Sequence, residues 1–260
     1  MALLGESSVH VLRRLQGLYH HGYLERPRAQ LEYYHRGGSR PIAYGLGNKG
    51  GSLLKREAGI AIRPVSWGEK NRSVGRIYLE HALLVSEVMT AIELACRRAN
   101  VKLLTEHDLA LQGTTPPFRW KVKLTNSKRV GVIPDRVFAL EFSREGGSSE
   151  RAYFFLEADR GTMPVKRRNL SQTSMYRKLL AYEATWSQSI HESRFGFHRF
   201  RVLTVTTSSK RAQSLVDTCF ELESGHGLFL FADRTLLDKP DEILSAQWLS
   251  GRAGKTGRLC

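Results

Sequence analysis

The chain has 260 residues, 41% hydrophobic and 25% charged, enough for one large or two small domains with a real core. Forty Lys and Arg against 25 Asp and Glu give a net charge of +15, which favours a polyanionic partner. No run of about 18 apolar residues exists to span a bilayer, and the opening MALLGESSVH has neither a basic segment nor a long apolar one to act as a signal peptide. Nucleic acid is therefore favoured over a membrane.

Residues 1–63 form the first region. A Ser pair, Ser7 and Ser8, stands where a helix cap belongs. Val9, Leu12, Leu15 and Leu18 then recur at helical spacing, and Gly22 marks a stop. YLERP reads as a short strand. EYYHRGGSRPIAYGLGNKGG reads as strand, glycine turn and strand, with a short helix from Ser52. Helix, strand, tip and strand is the second half of a winged helix. Ser8, His10, Arg13 and Arg14 are placed to meet DNA phosphates or base edges, and Arg36 and Arg40 flank the wing tip. The alternative is a solvated basic helix with an ordinary hairpin. The stretch resembles the winged helix-turn-helix of bacterial and phage DNA-binding proteins. Only seven or eight residues precede the helix, where a complete module carries one or two more helices. The expectation is a segment that is N-terminally incomplete, has a misassigned start, or is completed by a homodimer mate or another partner protein.

Residues 64–75, rich in polar residues with Pro and Gly, read as a linker. From residue 76 to about 250 an α/β domain is predicted. RIYLEHALLVSEVMTAIELACRRAN is an amphipathic helix whose stripe is Ile77, Leu84, Val88, Ala91, Ile92 and Ala95. PFRWKVKL alternates as a half-buried strand. RVGVIPDRVFALEF and AYFFLEAD are the next two strands, antiparallel neighbours across REGGSSER. The latter part of MPVKRRNLSQTSMYRKLLAYEATW is helical, FRVLTVTTSS is a central strand, SKRAQSLVDTCFEL is a helix and GLFLFAD is a last strand. The order implies a mixed sheet with helices on its faces. Residues 251–260, basic and Gly-rich, read as a disordered tail.

The three cysteines, Cys96, Cys219 and Cys260, are far apart and show no C-x-x-C spacing, which argues against both a disulfide framework and a Cys-type zinc site and fits a reducing bacterial cytoplasm. The histidines show no H-E-x-x-H, and no G-x-x-x-x-G-K-[ST] is present for ATP.

Chemistry gathers at the end of YFFLEADRGT. Alternation sets Tyr153, Phe155, Glu157 and Asp159 on one strand face. Asp135 lies 22 positions before Glu157, the length of a strand, turn and return strand. Three clustered carboxylates are costly unless a hard cation such as Mg²⁺ neutralises them. The plainer alternatives are ion pairs of Glu157 and Asp159 with Arg160 or Arg136, and a capping role for Asp135.

Pro134-Asp135 followed by Glu157-x-Asp159 resembles the PD-(D/E)XK nuclease core. PDRVFAL, FFLEADRGT, KLLAY and FRVLTVTTSSKRAQSL resemble the replication-relaxation family of plasmids and mobile elements, over about residues 7–235. That family pairs such a core with an N-terminal winged helix. The resemblance implies Asp135 and Glu157 as ligands of Mg²⁺ or Mn²⁺, the Ala158 carbonyl as a third oxygen, and Glu87, with Glu80 as rival, as the helix acid. It places the motif's lysine at position 159, where Asp159 stands instead. Lys178 is the candidate replacement, with Lys166 second and Tyr182 one turn beyond Lys178. Lys166, Arg167 and Arg168 fall in a basic stretch fit to hold double-stranded DNA. The implied function is a metal-dependent DNA nickase or endonuclease in plasmid or mobile-element replication or relaxation. The alternative is an origin-binding or transcriptional regulator that uses an inactive nuclease-like fold as a scaffold.

Overall fold

The structure, a computed structural model, describes residues 5–30, 41–60, 66–114, 118–125, 128–144 and 148–260. The chain divides into two compact units, Met1–Leu83 and Leu84–Cys260.

In the first unit α1 (Ser8–His20) is followed by β1 (Leu24–Glu25), β2 (Gly45–Leu46), α2 (Asn48–Ala58) and α3 (Trp67–Ser73). Ser7, rather than Ser8, caps α1 by accepting from the His10 N–H. β1 and β2 pair antiparallel. The Arg26 guanidinium lies over the Tyr19 ring and donates to the Tyr44 hydroxyl, tying α1 to the approach of β2. α2 starts at Asn48 rather than Ser52, because Gly50 and Gly51 are buried helix positions. A Cβ on Gly50 would sit 2.3 Å from the Tyr23 carbonyl oxygen, so only glycine allows this approach of α2 to β1. The stretch expected to be a linker contains α3: Ser66 caps it from the Glu69 N–H, a signal outweighed in the sequence by polar neighbours. The leucine stripe of α1 is present, yet Val9, Leu12 and Leu18 stay exposed and no α1 residue is buried. The wing tip, with Arg36 and Arg40, lies outside the described residues.

The division between units falls inside α4 (Arg76–Ala99). Then come β3 (Lys102–Leu104), α5 (Glu106–Leu111), β4 (Trp120–Lys123), β5 (Arg129–Val132), β6 (Arg136–Ser143) and β7 (Ser149–Ala158). They are followed by α6 (Met175–Ser187), α7 (Ile190–Phe195), β8 (Phe200–Thr206), α8 (Ser209–Cys219), β9 (Phe229–Asp233), β10 (Trp248–Ser250) and β11 (Thr256–Gly257). Seven strands form one sheet in the order β11-β10-β9-β8-β7-β6-β3. β7–β8 and β8–β9 are parallel; the remaining pairs are antiparallel. This is the mixed, helix-flanked α/β sheet that the element order implies, with β8 at its centre as expected.

Two apolar layers sandwich the sheet. On one face Val88 and Ile92 of α4 meet Phe138, Phe154, Leu156, Leu203, Val205 and Trp248. On the other, Phe155, Val202 and Phe231 meet Leu179 and Tyr182 of α6, Leu215 of α8, and the Trp120, Val122, Val130 and Val132 side of the β4–β5 hairpin. The stripe expected of α4 is buried except for Ile77, which is exposed in the first unit.

Three expectations are corrected. RVGVIPDRVFALEF is two strands, because Pro134 has no N–H for a ladder and interrupts the run between Val132 and Arg136. GLFLFAD is not the last strand. Residues 251–260 are not a disordered tail: β11 pairs with β10, Leu259 is buried, and its N–H donates to the Leu244 carbonyl at 3.0 Å. One apolar anchor holds an otherwise polar segment, and composition does not display it.

Candidate functional site

Glu157 stands at the end of β7 with 3% of its surface exposed. Pairing on both sides fixes its direction: Leu156 faces Arg136 across the antiparallel β6 and Glu157 faces Thr204 on the parallel β8. Its side chain therefore points with Phe155 into the layer covered by α6. α6 is capped by Ser174, which accepts from the Arg177 N–H. Lys178 and Tyr182, four residues apart on that helix, present the same side to Glu157. Lys178 Nζ donates to Glu157 Oε2, and the Tyr182 hydroxyl donates to Oε1 at 2.6 Å.

Burial pushes the Glu157 carboxyl above the ordinary carboxylate range; Lys178 pulls against this and the charge of Asp135 adds to it. Burial alone would lower Lys178, but the charges of Glu157 and Asp135 hold it above the ordinary lysine value. Burial and then Glu157 push the Tyr182 hydroxyl well up, so it stays a proton donor to the carboxylate.

Asp135 follows the break at Pro134. Its N–H donates to the Leu156 carbonyl at 2.9 Å, and its Oδ2 accepts from the Ala158 N–H at 2.8 Å. These contacts continue the β6–β7 register by one step and set Asp135 across from Glu157. The sequence-predicted pair is thus brought together. A cleft of about 200 Å³ opens over Glu157, walled by Val130–Ile133 and by Ser174, Arg177, Lys178 and Tyr182.

Asp159 shares a strand face with Glu157 but not its partners. Arg211 of α8 grips both its oxygens, Nη2 reaching Oδ1 at 3.0 Å and Nε reaching Oδ2. Thr206 donates to Oδ2 at 2.7 Å and the Gly161 N–H to Oδ1 at 3.1 Å. Arg211 also donates to the Met163 carbonyl. Asp159 therefore fastens the segment after β7 to α8, while Lys178 stands against Glu157 from another element.

The other predicted residues lie elsewhere. Glu87 pairs with Arg234 at 3.0 Å, both side chains about half exposed, on a helix packed against the opposite sheet face from Glu157. Glu80 pairs with Arg76 at 2.8 Å. Among the described residues, no group of three or more His, Cys, Asp or Glu gathers as a metal cage. Lys166 pairs with Glu221, Arg167 donates to the Thr173 carbonyl and to Gln172, and Arg168 is exposed. Ser8, His10 and Arg13 are exposed on α1, and exposed Arg14 reaches Glu6 at 2.6 Å. Sequence reasoning missed Arg211 and Arg177. Arg211 carried one signal, an arginine in the first turn of the helix that follows the central strand.

No described helix is long and apolar enough to cross a membrane, and all three cysteines are free thiols.

A buried acid on a strand inside the sheet thus stands across from a second acid and meets a lysine from the covering helix. A family profile, replication-relaxation, matches residues 1–199, most of the chain, and the chain belongs to that family. The match spans Asp135, Glu157, Lys178 and Tyr182 and stops short of β8 and Arg211. No curated protein and no solved structure matched the chain.

Proposed function

We propose that the chain nicks or cleaves DNA with a divalent metal ion, in the replication or relaxation of a plasmid or mobile element. Family membership supports the setting. The chemistry rests on one observation: Lys178 meets the buried Glu157 directly, so a lysine stands at the acid although position 159 holds Asp. Mg²⁺ commonly binds one or two carboxylates and completes its shell with water and substrate phosphate. Asp135, Glu157 and the Ala158 carbonyl would supply a donor set of that kind. The buried Thr204 hydroxyl, opposite Glu157 in register and unpartnered among the described residues, would add an oxygen.

Bound there, Mg²⁺ or Mn²⁺ would polarise a phosphodiester and acidify a water. The protein's own part is to hold charge in place. Tyr182 orients Glu157 through Oε1, leaving Oε2 to Lys178. Lys178, about a third exposed at the cleft, would turn its remaining donors to a phosphate oxygen as negative charge builds. In the first unit, α1 with its exposed His10 and Arg13 would supply the DNA contacts of a winged helix.

The test is supercoiled plasmid with Mg²⁺ or Mn²⁺, beside a Glu157→Gln variant. Nicking by the wild-type protein and none by the variant is expected; nicking that survives the substitution overturns the proposal. A second reading, a non-catalytic DNA-binding scaffold, is favoured by Asp159, which is locked to Arg211 in the lysine's place. It predicts that duplex is bound and never cut.

A further inference from the structure

The β4–β5 hairpin presents a basic face that the Glu157 chemistry does not use. Its inner face, Trp120, Val122, Val130 and Val132, is buried under α6. Strand alternation turns Lys121, Lys123 and Arg129 outward, with Arg119 just before them, and all four are exposed. Among the described residues, no carboxylate pairs with any of the four. The register sets Lys123 directly opposite Arg129. Like charges so placed destabilise a hairpin, so the arrangement works against the fold that carries it. Lys121 faces Gly131. A Cβ on Gly131 would meet only the Trp120 carbonyl oxygen, at 4.0 Å, and its φ is ordinary. Neither packing nor backbone requires glycine there. A mid-strand glycine of this kind leaves room for a foreign backbone to lie close. The same residue lines the Glu157 cleft, so the basic face and the cleft adjoin.

We infer that this outer hairpin face is a DNA-backbone clamp that seats one strand of a duplex along Arg119, Lys121, Lys123 and Arg129, beside the Glu157 cleft. Side chains two apart on a strand stand about 6.8 Å from each other, so Arg119, Lys121 and Lys123 form a row with the spacing of neighbouring phosphates along one DNA strand, and Arg129 stands beside Lys123 across the hairpin. The inference deepens the DNA-cleaving reading and rests on DNA being the substrate.

The test is anisotropy of a labelled DNA duplex against salt concentration, without divalent ion and in a Glu157→Gln background, so that cleavage does not enter. In the variant Lys121→Gln/Lys123→Gln/Arg129→Gln, binding at about 0.1 M salt should weaken by roughly ten- to several-hundred-fold, and the salt slope should flatten by roughly 2 to 3. Its thermal midpoint should stay level or rise, because the Lys123–Arg129 repulsion is gone. Should that variant unfold, Gly131→Glu decides alone: its Cβ has room, and the added acid opposite Lys121 should weaken duplex binding at least several-fold. Unchanged affinity and slope in a folded variant overturn the clamp, even if the wild-type protein nicks plasmid. A loss seen on anionic lipid vesicles but not on duplex also overturns it. A flattened slope upholds the clamp even if no nicking is ever seen.

Discussion

The end of β7 and the segment just beyond it place two carboxylates two residues apart and give them opposite tasks. Glu157 is held by neutral and cationic donors from α6, at a cleft open to ligand. Asp159 is saturated by Arg211, Thr206 and the Gly161 N–H, and faces α8. Strand alternation gave them one face; what differs is the helix that each meets. The resemblance places the motif's lysine at position 159, where Asp159 stands and fastens the segment after the strand to α8. The lysine that meets Glu157 comes from α6.

The sharpest way to break this contrast is at Asp159. Its side chain is 2% exposed and that of Arg211 17% exposed. Removing one member of a buried pair commonly costs about 3–5 kcal/mol. Asp159→Asn should cost an amount in that range by chemical denaturation. Divalent-ion affinity, measured by Mn²⁺ titration of the protein that stays folded, should change little. A loss of Mn²⁺ affinity without a loss of stability would reverse the two roles.

The parts legible in the sequence were those governed by local period. The alternation of β7, the buried stripe of α4 and the β-branched run of β8 all follow from side-chain direction along one element. So did the meeting of Asp135 with Glu157, because a hairpin's register is set by its own length. What escaped depended on contacts between distant segments. Arg211 reaches Asp159 across 52 positions. Leu259 fixes the end of the chain through one carbonyl of residue 244. α3 hid because its cap, Ser66 to Glu69, lay in a polar stretch. Lys178 was within reach only through the family resemblance, and helical spacing then set Tyr182 beside it.

A smaller effect is expected at Lys178, about a third exposed. Lys178→Met leaves Glu157 buried without its cation and should cost roughly 2–4 kcal/mol near pH 8, below the cost of breaking a fully buried pair because of that exposure. The pH dependence has a definite sign. The Glu157 carboxyl is already raised above 4.5, chiefly by burial. Without Lys178 it rises further. A raised carboxyl leaves stability intact below its unfolded value and removes it as pH climbs through the folded one. Lys178→Met should therefore be closer to wild type at pH 5 than at pH 8, by urea midpoint. The double variant Glu157→Gln/Lys178→Met should recover most of the loss and show a flatter profile. Equal losses at both pH values would mean that packing, and not the charge pair, was removed.

The smallest effect belongs to Glu87, and it tests the separation of the two sheet faces. The resemblance assigns a helix acid to the metal, but α4 packs its buried stripe on Phe138, Phe154 and Leu156, while Glu157 points with Phe155 to the other side. Glu87 spends its carboxylate on Arg234, at a surface where both side chains are about half in water. Such a pair contributes at most about 1 kcal/mol, and less as salt rises. Glu87→Gln should shift the thermal midpoint slightly and leave Mn²⁺ affinity and plasmid nicking as they were. A tenfold drop in Mn²⁺ affinity would mean that the amino-terminal half of α4 reaches round the sheet to Glu157. The site would then be a three-carboxylate centre shared by both faces, instead of the proposed two-carboxylate one with Lys178 beside it.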